Sequence, residues 1–243
     1  MITLIGTGHV FDLTQPLLNI FEEKNPEIVC VELDKQRYNA LMLKQSDPER
    51  YKNMEKNVPV LYKMLARFQE GMAKEYGVTA GAEMLTSIKY ANSHQLPVAF
   101  IDMNAQRLFS RMLKTMSFSE KIKLVFSGFG GFFVSKERVE KELDKFQENF
   151  DTYIEEIGKK FPTVKRVLID ERNIFMVQQL TAASEKYERI VAVIGDGHIP
   201  GIVKLLEKKS LSFETIRLSE LRSQKIMDSK TSSASFSMEY KEL

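Results

Sequence analysis

The chain has 243 residues, 43% hydrophobic and 28% charged, with 35 Lys and Arg against 33 Asp and Glu for a formal charge of +2. This is the make-up of a globular protein of one large domain, or a domain with an inserted lobe, and the near balance of charge argues against a nucleic-acid partner, which needs a basic excess or stripe. A lone cysteine, Cys30, excludes a disulfide within the chain, and no apolar run reaches the ~18–20 residues that span a bilayer.

The N-terminus enters an apolar, β-branched run at residues 2–5 with no basic leader, so no signal peptide is expected. The expected setting is cytoplasmic, with membrane association left open. Helical periodicity follows at 13–24, then a second apolar run at 28–31 that ends at Glu32. Cys30 lies inside that run and reads as a small buried hydrophobe rather than a nucleophile. Helical patterns at 37–43, 58–75 and 80–94 lead to a third run, 98–101, that ends at Asp102. A helical pattern at 169–187, a fourth run at 190–194 ending at Gly195, and a closing run at 213–218 complete the series. Strands alternating with helices predict an α/β fold with a mainly parallel central sheet flanked by helices.

Residues 118–165 break the rhythm with a glycine–phenylalanine cluster and a highly charged helix. They read as an inserted helical lobe or lid, or equally as two more packing helices. A third reading is an amphipathic foot at 124–134 on a membrane surface. The expected division is a single α/β domain over 1–221 and a polar, mobile tail over 222–243.

Two of the three histidines close matching patterns. Leu4-Ile5-Gly6-Thr7-Gly8-His9-Val10 aligns with Val193-Ile194-Gly195-Asp196-Gly197-His198-Ile199, which suggests two similar halves, each a strand, a G-x-x-H turn and a helix. The glycines are expected to let the backbone leave the strand sharply and to let another group approach closely. His9 and His198 then stand at the carboxyl edge of the sheet, where open α/β folds bind ligands. Either pattern alone is more often a structural turn with a packed histidine. The third histidine, His94, lies in a polar stretch and is expected to meet solvent.

On a parallel sheet, Glu32 and Asp102 emerge on the same edge as the histidines. Two imidazoles with one or two carboxylates form a mixed donor set suited to Zn, Mn, Co or Fe. The alternative for Asp102 is a helix N-cap, whereas Glu caps helices poorly and a buried carboxylate needs a partner. Arg37, Arg107, Arg111 and Arg172 follow these acids, and each is a candidate anchor for an anionic group or for a catalytic carboxylate, or simply a solvated helix arginine. Glu83 is a candidate base, or a first-turn acid favoured by the helix dipole.

Ile5-Gly6-Thr7-Gly8-His9, Val31-Glu32-Leu33-Asp34 with Arg37, Gly81-Ala82-Glu83-Met84, Ile101-Asp102 with Arg107 and Arg111, Asp170-Glu171-Arg172, and Val193 to Ile202 together resemble the TraB/PrgY family over residues 1–221. That family is similar to the Tiki proteases and, more remotely, to the ChaN and erythromycin-esterase-like group. The resemblance implies a metal-dependent hydrolase: Tiki members trim an exposed peptide N-terminus, and PrgY-type members are linked to blocking a secreted peptide pheromone. It also implies that His9 and His198 are the signature histidines and Glu32 the signature acid. Unlike Tiki-type and many TraB-type chains, this sequence shows neither a secretion signal nor a membrane span.

The expected function is hydrolysis of a peptide or small amide. His9, His198 and Glu32 would hold a divalent cation (Mn, Co or Zn), Glu83 or Asp102 would act as base, and Arg37, Arg107 or Arg172 would bind charge. The alternatives are a regulator that binds a peptide or pheromone in the same cleft without turnover, and a protein-interaction module whose histidines are structural. Homo-oligomerisation is left open.

Overall fold

The computed structural model describes residues 1–8, 11–55, 81–123, 155–156 and 158–223. His9, the predicted helix at 58–75, the 124–134 foot, most of the 118–165 lobe and all but the first two residues of the predicted tail lie outside the described residues.

Five strands, β1 (Ile2–Thr7), β2 (Ile28–Val31), β3 (Val98–Phe100), β4 (Ile190–Gly195) and β5 (Phe213–Ile216), form one sheet in the order β3-β2-β4-β1-β5. Every pairing is parallel, so the predicted mainly parallel sheet is wholly parallel. The period-2 alternation of side chains supplies both cores. Ile2, Leu4, Ile28, Cys30, Ile190, Ala192 and Ile194 face the helices Glu171–Ser184 and Ile199–Glu207. Ile5, Val29, Val31, Val191 and Val193 face the helices Thr14–Lys24 and Ala82–Ser93. A sheet buried on both faces favours strands that are apolar throughout, as β2 and β4 are up to Gly195, whereas β1 carries Thr3 and Thr7 and the edge strand β5 carries Glu214 and Thr215.

The two helices that leave adjacent strands lie on opposite faces for a steric reason. From β1 the chain crosses to β2 on one side, and from β4 it crosses to β5 on the other. Parallel crossovers share one hand, so connections that run in opposite directions must use opposite faces. The strand ends between them form the crevice where such sheets bind ligands.

A smaller core joins the helix Ala105–Thr115 to the segment before Arg172, through Leu108, Phe109, Met112, Met116 and Val167. The helix expected over 169–187 is seen as Glu171–Ser184, and its first two expected residues fall in a π-helical turn. A short helix, Pro162–Lys165, passes into a π-helical turn, Arg166–Asp170, in which Glu171 N–H donates to Arg166 O. Turns of this kind shift the register of the following helix and recur at functional sites.

The described ends of the 118–165 region are clasped by Glu120. Its buried carboxylate accepts Thr163 N at 2.8 Å, Thr163 Oγ1 at 2.9 Å, and both Ser117 N and Ser117 Oγ at 3.0 Å. Burial pushes this carboxyl up, but the backbone and hydroxyl donors outweigh it and hold the pKa at about 2 against an ordinary 4.5. A folded pKa below the unfolded one stabilises the protein above about 4.5 and loses that contribution as pH falls towards about 2. Glu120→Gln keeps the shape but turns one acceptor into a donor facing donors. Urea unfolding at neutral pH is expected to show a loss of about 1–3 kcal/mol, with the gap to wild type closing as pH falls through that window.

Candidate functional site

The site is built at the carboxyl ends of three adjacent strands. The ends of β3, β2 and β4 contribute Asp102, Glu32 and, through the Gly195–His198 turn, His198, and these three side chains are buried. Glu32 N–H donates to Val193 O at 3.0 Å and Ile101 N–H to Val31 O at 3.0 Å, so the ladder continues one step past each strand and fixes where the acids leave it.

The acids are joined by guanidinium groups into one chain of charge. Arg172 bonds Glu32 Oε1 and holds Asp102 through Nε at 2.9 Å and a terminal nitrogen at 2.8 Å. Arg37 also bonds Asp102, and its Nε donates to Asp34 Oδ2 at 2.7 Å. Asp34 caps the helix Lys35–Ser46 by accepting Gln36 N at 2.9 Å and Arg37 N at 3.1 Å. Glu32 Oε2 accepts Gly195 N–H at 2.6 Å, which ties β2 to the second G-x-x-H turn. Burial works against the charge on Arg172, but the charges of Glu32 and Asp102 and their hydrogen bonds outweigh it and raise its pKa above the ordinary guanidinium value. Only paired charges survive this depth of burial.

His198 ends the 3-10 turn Asp196–His198, and its buried ring lies between Asn173 and Glu32. Nδ1 lies 2.6 Å from Asn173 Oδ1, and Nε2 lies 3.5 Å from Glu32 Oε1. Two donors each ~2.0–2.2 Å from a shared tetrahedral ion stand about 3.3–3.6 Å apart, so this pair suits a small divalent cation by chemistry and spacing. A metal on Glu32 would share Oε1 with Arg172. Among the described residues no group of three His, Cys, Asp or Glu side chains is arranged to hold a metal ion, and His9 lies outside them.

The glycines act through space rather than backbone conformation. Among the described glycines only Gly81, before the helix Ala82–Ser93, has a positive φ (80°). A Cβ on Gly6 would fall 2.0 Å from Asp196 Oδ1, and one on Gly195 would fall 3.2 Å from Glu32 Oε2. The expected sharp exit from the strand therefore gives way to close approach as the reason for Gly6. In the sheet Thr7, not Gly6, is level with Gly195, so the matching motifs sit one residue out of register. The second motif leads straight into its helix, whereas the first described helix after Gly8 begins at Thr14.

The remaining predicted residues divide. Glu83 is buried in the first turn of Ala82–Ser93, a helix that runs into β3 and so starts at the carboxyl edge of the sheet. Asp102 bonds Met103 N at 2.7 Å, but Asn104 caps the next helix by accepting Arg107 N at 3.0 Å. Arg107 is exposed on that helix, and Arg111 pairs with Glu171 at 3.2 Å. Asp170 pairs with Lys165 at 2.8 Å. His94 is exposed, its ring stacked on Tyr90 with centroids 4.1 Å apart. Burial pushes the Cys30 thiol up to about 12, which keeps it inert.

Three contributors were missed in the sequence. Asn173 shares the spacing of Met176, Val177 and Leu180 on the buried stripe of its helix, and a polar residue on such a stripe needs a partner. Asp34, three residues before Arg37, carries the N-cap signature. Asp196, the variable residue of the second motif, accepts Arg217 through Nε at 2.9 Å and a terminal nitrogen at 2.7 Å. Its distant partner gave no local signal.

A model of the TraB/PrgY/gumN family matches residues 1–215. An uncharacterized protein of Methanocaldococcus jannaschii is 32% identical over 212 residues, which cover 85% of this chain and 53% of that protein. TraB domain-containing proteins of mouse and human are each 22% identical over 234 residues, covering 83% of this chain and 61% of theirs. The chain thus spans about half to three-fifths of the length of these curated relatives. No helix among the described residues is long and apolar enough to cross a membrane. The family match over most of the chain, on a wholly parallel sheet with a G-x-x-H turn at its carboxyl edge, establishes that this chain belongs to the TraB/PrgY/gumN family.

Proposed function

We propose that the protein is a metal-assisted hydrolase of a peptide or small amide, with His198, Glu32 and His9 holding a divalent cation (Mn, Co or Zn). The observation that carries this reading is His198, whose Nδ1 is anchored on Asn173 while Nε2 faces the buried Glu32 at 3.5 Å. An anchored far nitrogen is the usual arrangement around metal-bound imidazole. When bound, the ion would polarise the scissile carbonyl and lower the pKa of a water molecule.

Arg172 holds Glu32 and Asp102 in place and neutralises them, and Arg37 closes the same chain from the other side. Asp102, with both oxygens engaged by guanidinium groups, suits positioning better than proton transfer. That leaves Glu83 as the base of the scheme. Arg107, exposed on the helix Ala105–Thr115, is placed to meet a substrate only if the substrate reaches that surface.

The same ion pairs favour a second reading, in which the cleft binds a peptide without cutting it, because carboxylates locked by arginines shape a surface without any need for turnover. One experiment separates the two. Metal content of the purified chain is measured by elemental analysis, and a peptide mixture incubated with it is read by mass spectrometry. The expected result is a bound divalent metal and cut peptides, with metal affinity and cleavage each falling more than about 100-fold in His198→Ala. Peptides recovered intact would support the binding reading, and a protein with neither metal nor cleavage would sink the hydrolase.

A further inference from the structure

We infer that the exposed face of the helix Ala105–Thr115 is a subsite for acidic side chains, so that the peptide taken by the cleft carries glutamate or aspartate. The inference rests on the peptide reading of the cleft, whether the peptide is cut or only bound. Within this helix Arg107, Ser110, Arg111 and Lys114 stand at spacings of three and four and so share one face. The opposite face, with Leu108, Phe109 and Met112, is spent on the small core around Val167. Arg107, Arg111 and Lys114 are exposed, and with Gln106, Ser110 and Thr115 they line a groove of about 560 Å³.

The chemistry of that lining selects the occupant. Small-molecule sites are mostly apolar with a few polar groups, whereas every described residue lining this groove is polar, three are cations and none is an acid. Arg166 adds a fourth cation at the rim, where it donates to Thr115 Oγ1 at 3.3 Å. Glu171 answers two of the four, lying 3.2 Å from Arg111 and 3.8 Å from Arg166, whose side chains stay 56% and 49% exposed. Among the described residues neither Arg107 nor Lys114 enters an ion pair. Such a face is complementary to a chain carrying several carboxylates. An anionic bilayer has the same charge but is flat, and these cations line a concavity.

The groove also adjoins the site. Glu171 and Arg172 are consecutive at the start of one helix: Glu171 meets the arginines of the groove, while Arg172 bonds Glu32 and Asp102. An extended peptide covers ~3.3–3.6 Å per residue, so a few residues reach from one to the other.

The test uses rhodamine-labelled peptides that are alike except that every third residue is glutamate, glutamine or lysine. Each is titrated with the full chain and followed by fluorescence anisotropy. The glutamate peptide is expected to bind at least about tenfold tighter than the glutamine one, as a few exposed ion pairs allow, with the lysine peptide weakest. The preference should shrink as salt rises from about 0.01 to 0.15 M. Arg107→Gln with Lys114→Gln should weaken glutamate binding about 3- to 30-fold and leave the glutamine peptide unchanged. Lys208→Gln with Lys209→Gln removes the same charge at exposed positions just past the far end of the helix Ile199–Glu207, and should change neither. If the glutamate peptide is cut, the Arg107 and Lys114 substitutions should raise KM and leave kcat as it was.

Equal affinity for the glutamate and glutamine peptides overturns the proposal, and that comparison needs no variant to fold. An equal loss in the Lys208 and Lys209 variant overturns it as well, because overall charge would then account for the preference. Sedimentation with vesicles of phosphatidylcholine, with and without phosphatidylserine, tests the other occupant. Binding to the anionic vesicles that Arg107→Gln with Lys114→Gln abolishes, in a protein indifferent to the peptides, replaces the peptide by a bilayer. A glutamate preference in a protein without metal or cleavage leaves the subsite and removes the hydrolase. Cleavage of all three peptides at one KM does the reverse.

Discussion

Arg172→Met is expected to lower folding stability by about 3–5 kcal/mol, the largest effect of any single change in the site. The side chain of Arg172 is 14% exposed and lies against carboxylates of Glu32 and Asp102 that are 6% and 2% exposed. Methionine fills much of the volume but removes the guanidinium that bonds both buried carboxylates, while Arg37 stays on Asp102 Oδ2. A domain of this size has about 5–15 kcal/mol in total, so the variant should unfold at clearly lower urea with an unchanged slope. Arg172→Lys keeps the charge but lacks the planar fork that spans Glu32 and Asp102 at once, and it should fall between the two. A methionine variant within about 1 kcal/mol of wild type would show that the charge chain does not hold the sheet edge together.

Gly6→Ala should cost about 2–3 kcal/mol and damage the second motif from the first. The new Cβ would sit 2.0 Å from Asp196 Oδ1 and 3.2 Å from Asp196 Cα, so both the side chain and the backbone behind it are in the way. Asp196 cannot turn aside freely, because Oδ1 accepts Arg217 Nε at 2.9 Å and Leu218 N at 2.9 Å while Oδ2 accepts a terminal Arg217 nitrogen at 2.7 Å. Gly195→Ala should be milder, since its nearest neighbour, Glu32 Oε2, stands at 3.2 Å. A double-mutant cycle tests the cause: in an Asp196→Ala background the penalty of Gly6→Ala should shrink by more than 1 kcal/mol. Equal penalties in both backgrounds would place the strain elsewhere.

The sequence by itself determined the layer architecture and the edge at which the site lies. Runs such as Ile28–Val31 and Ile190–Ile194 are apolar at every position, which only a strand buried on both faces allows, and each ends at an acid or glycine. Parallel direction then places Glu32, Asp102 and His198 together without further information. What it left undecided was how those groups are spent. Asp102 reads equally as an N-cap or a site acid until the ring of partners from Arg37 and Arg172 is seen. Arg107 and Arg172 are alike as residues in helical segments, yet one meets solvent and the other is buried between two carboxylates. The glycines of the two motifs are visible as a pattern, but the reason for Gly6 is Asp196, a neighbour on the far side of the sequence. Periodicity and local chemistry are properties of adjacent residues, and so they can be read from the chain. Charge pairing and close approach depend on atoms that only the packed sheet edge brings within 3 Å of one another, as it brings Asn173 to His198.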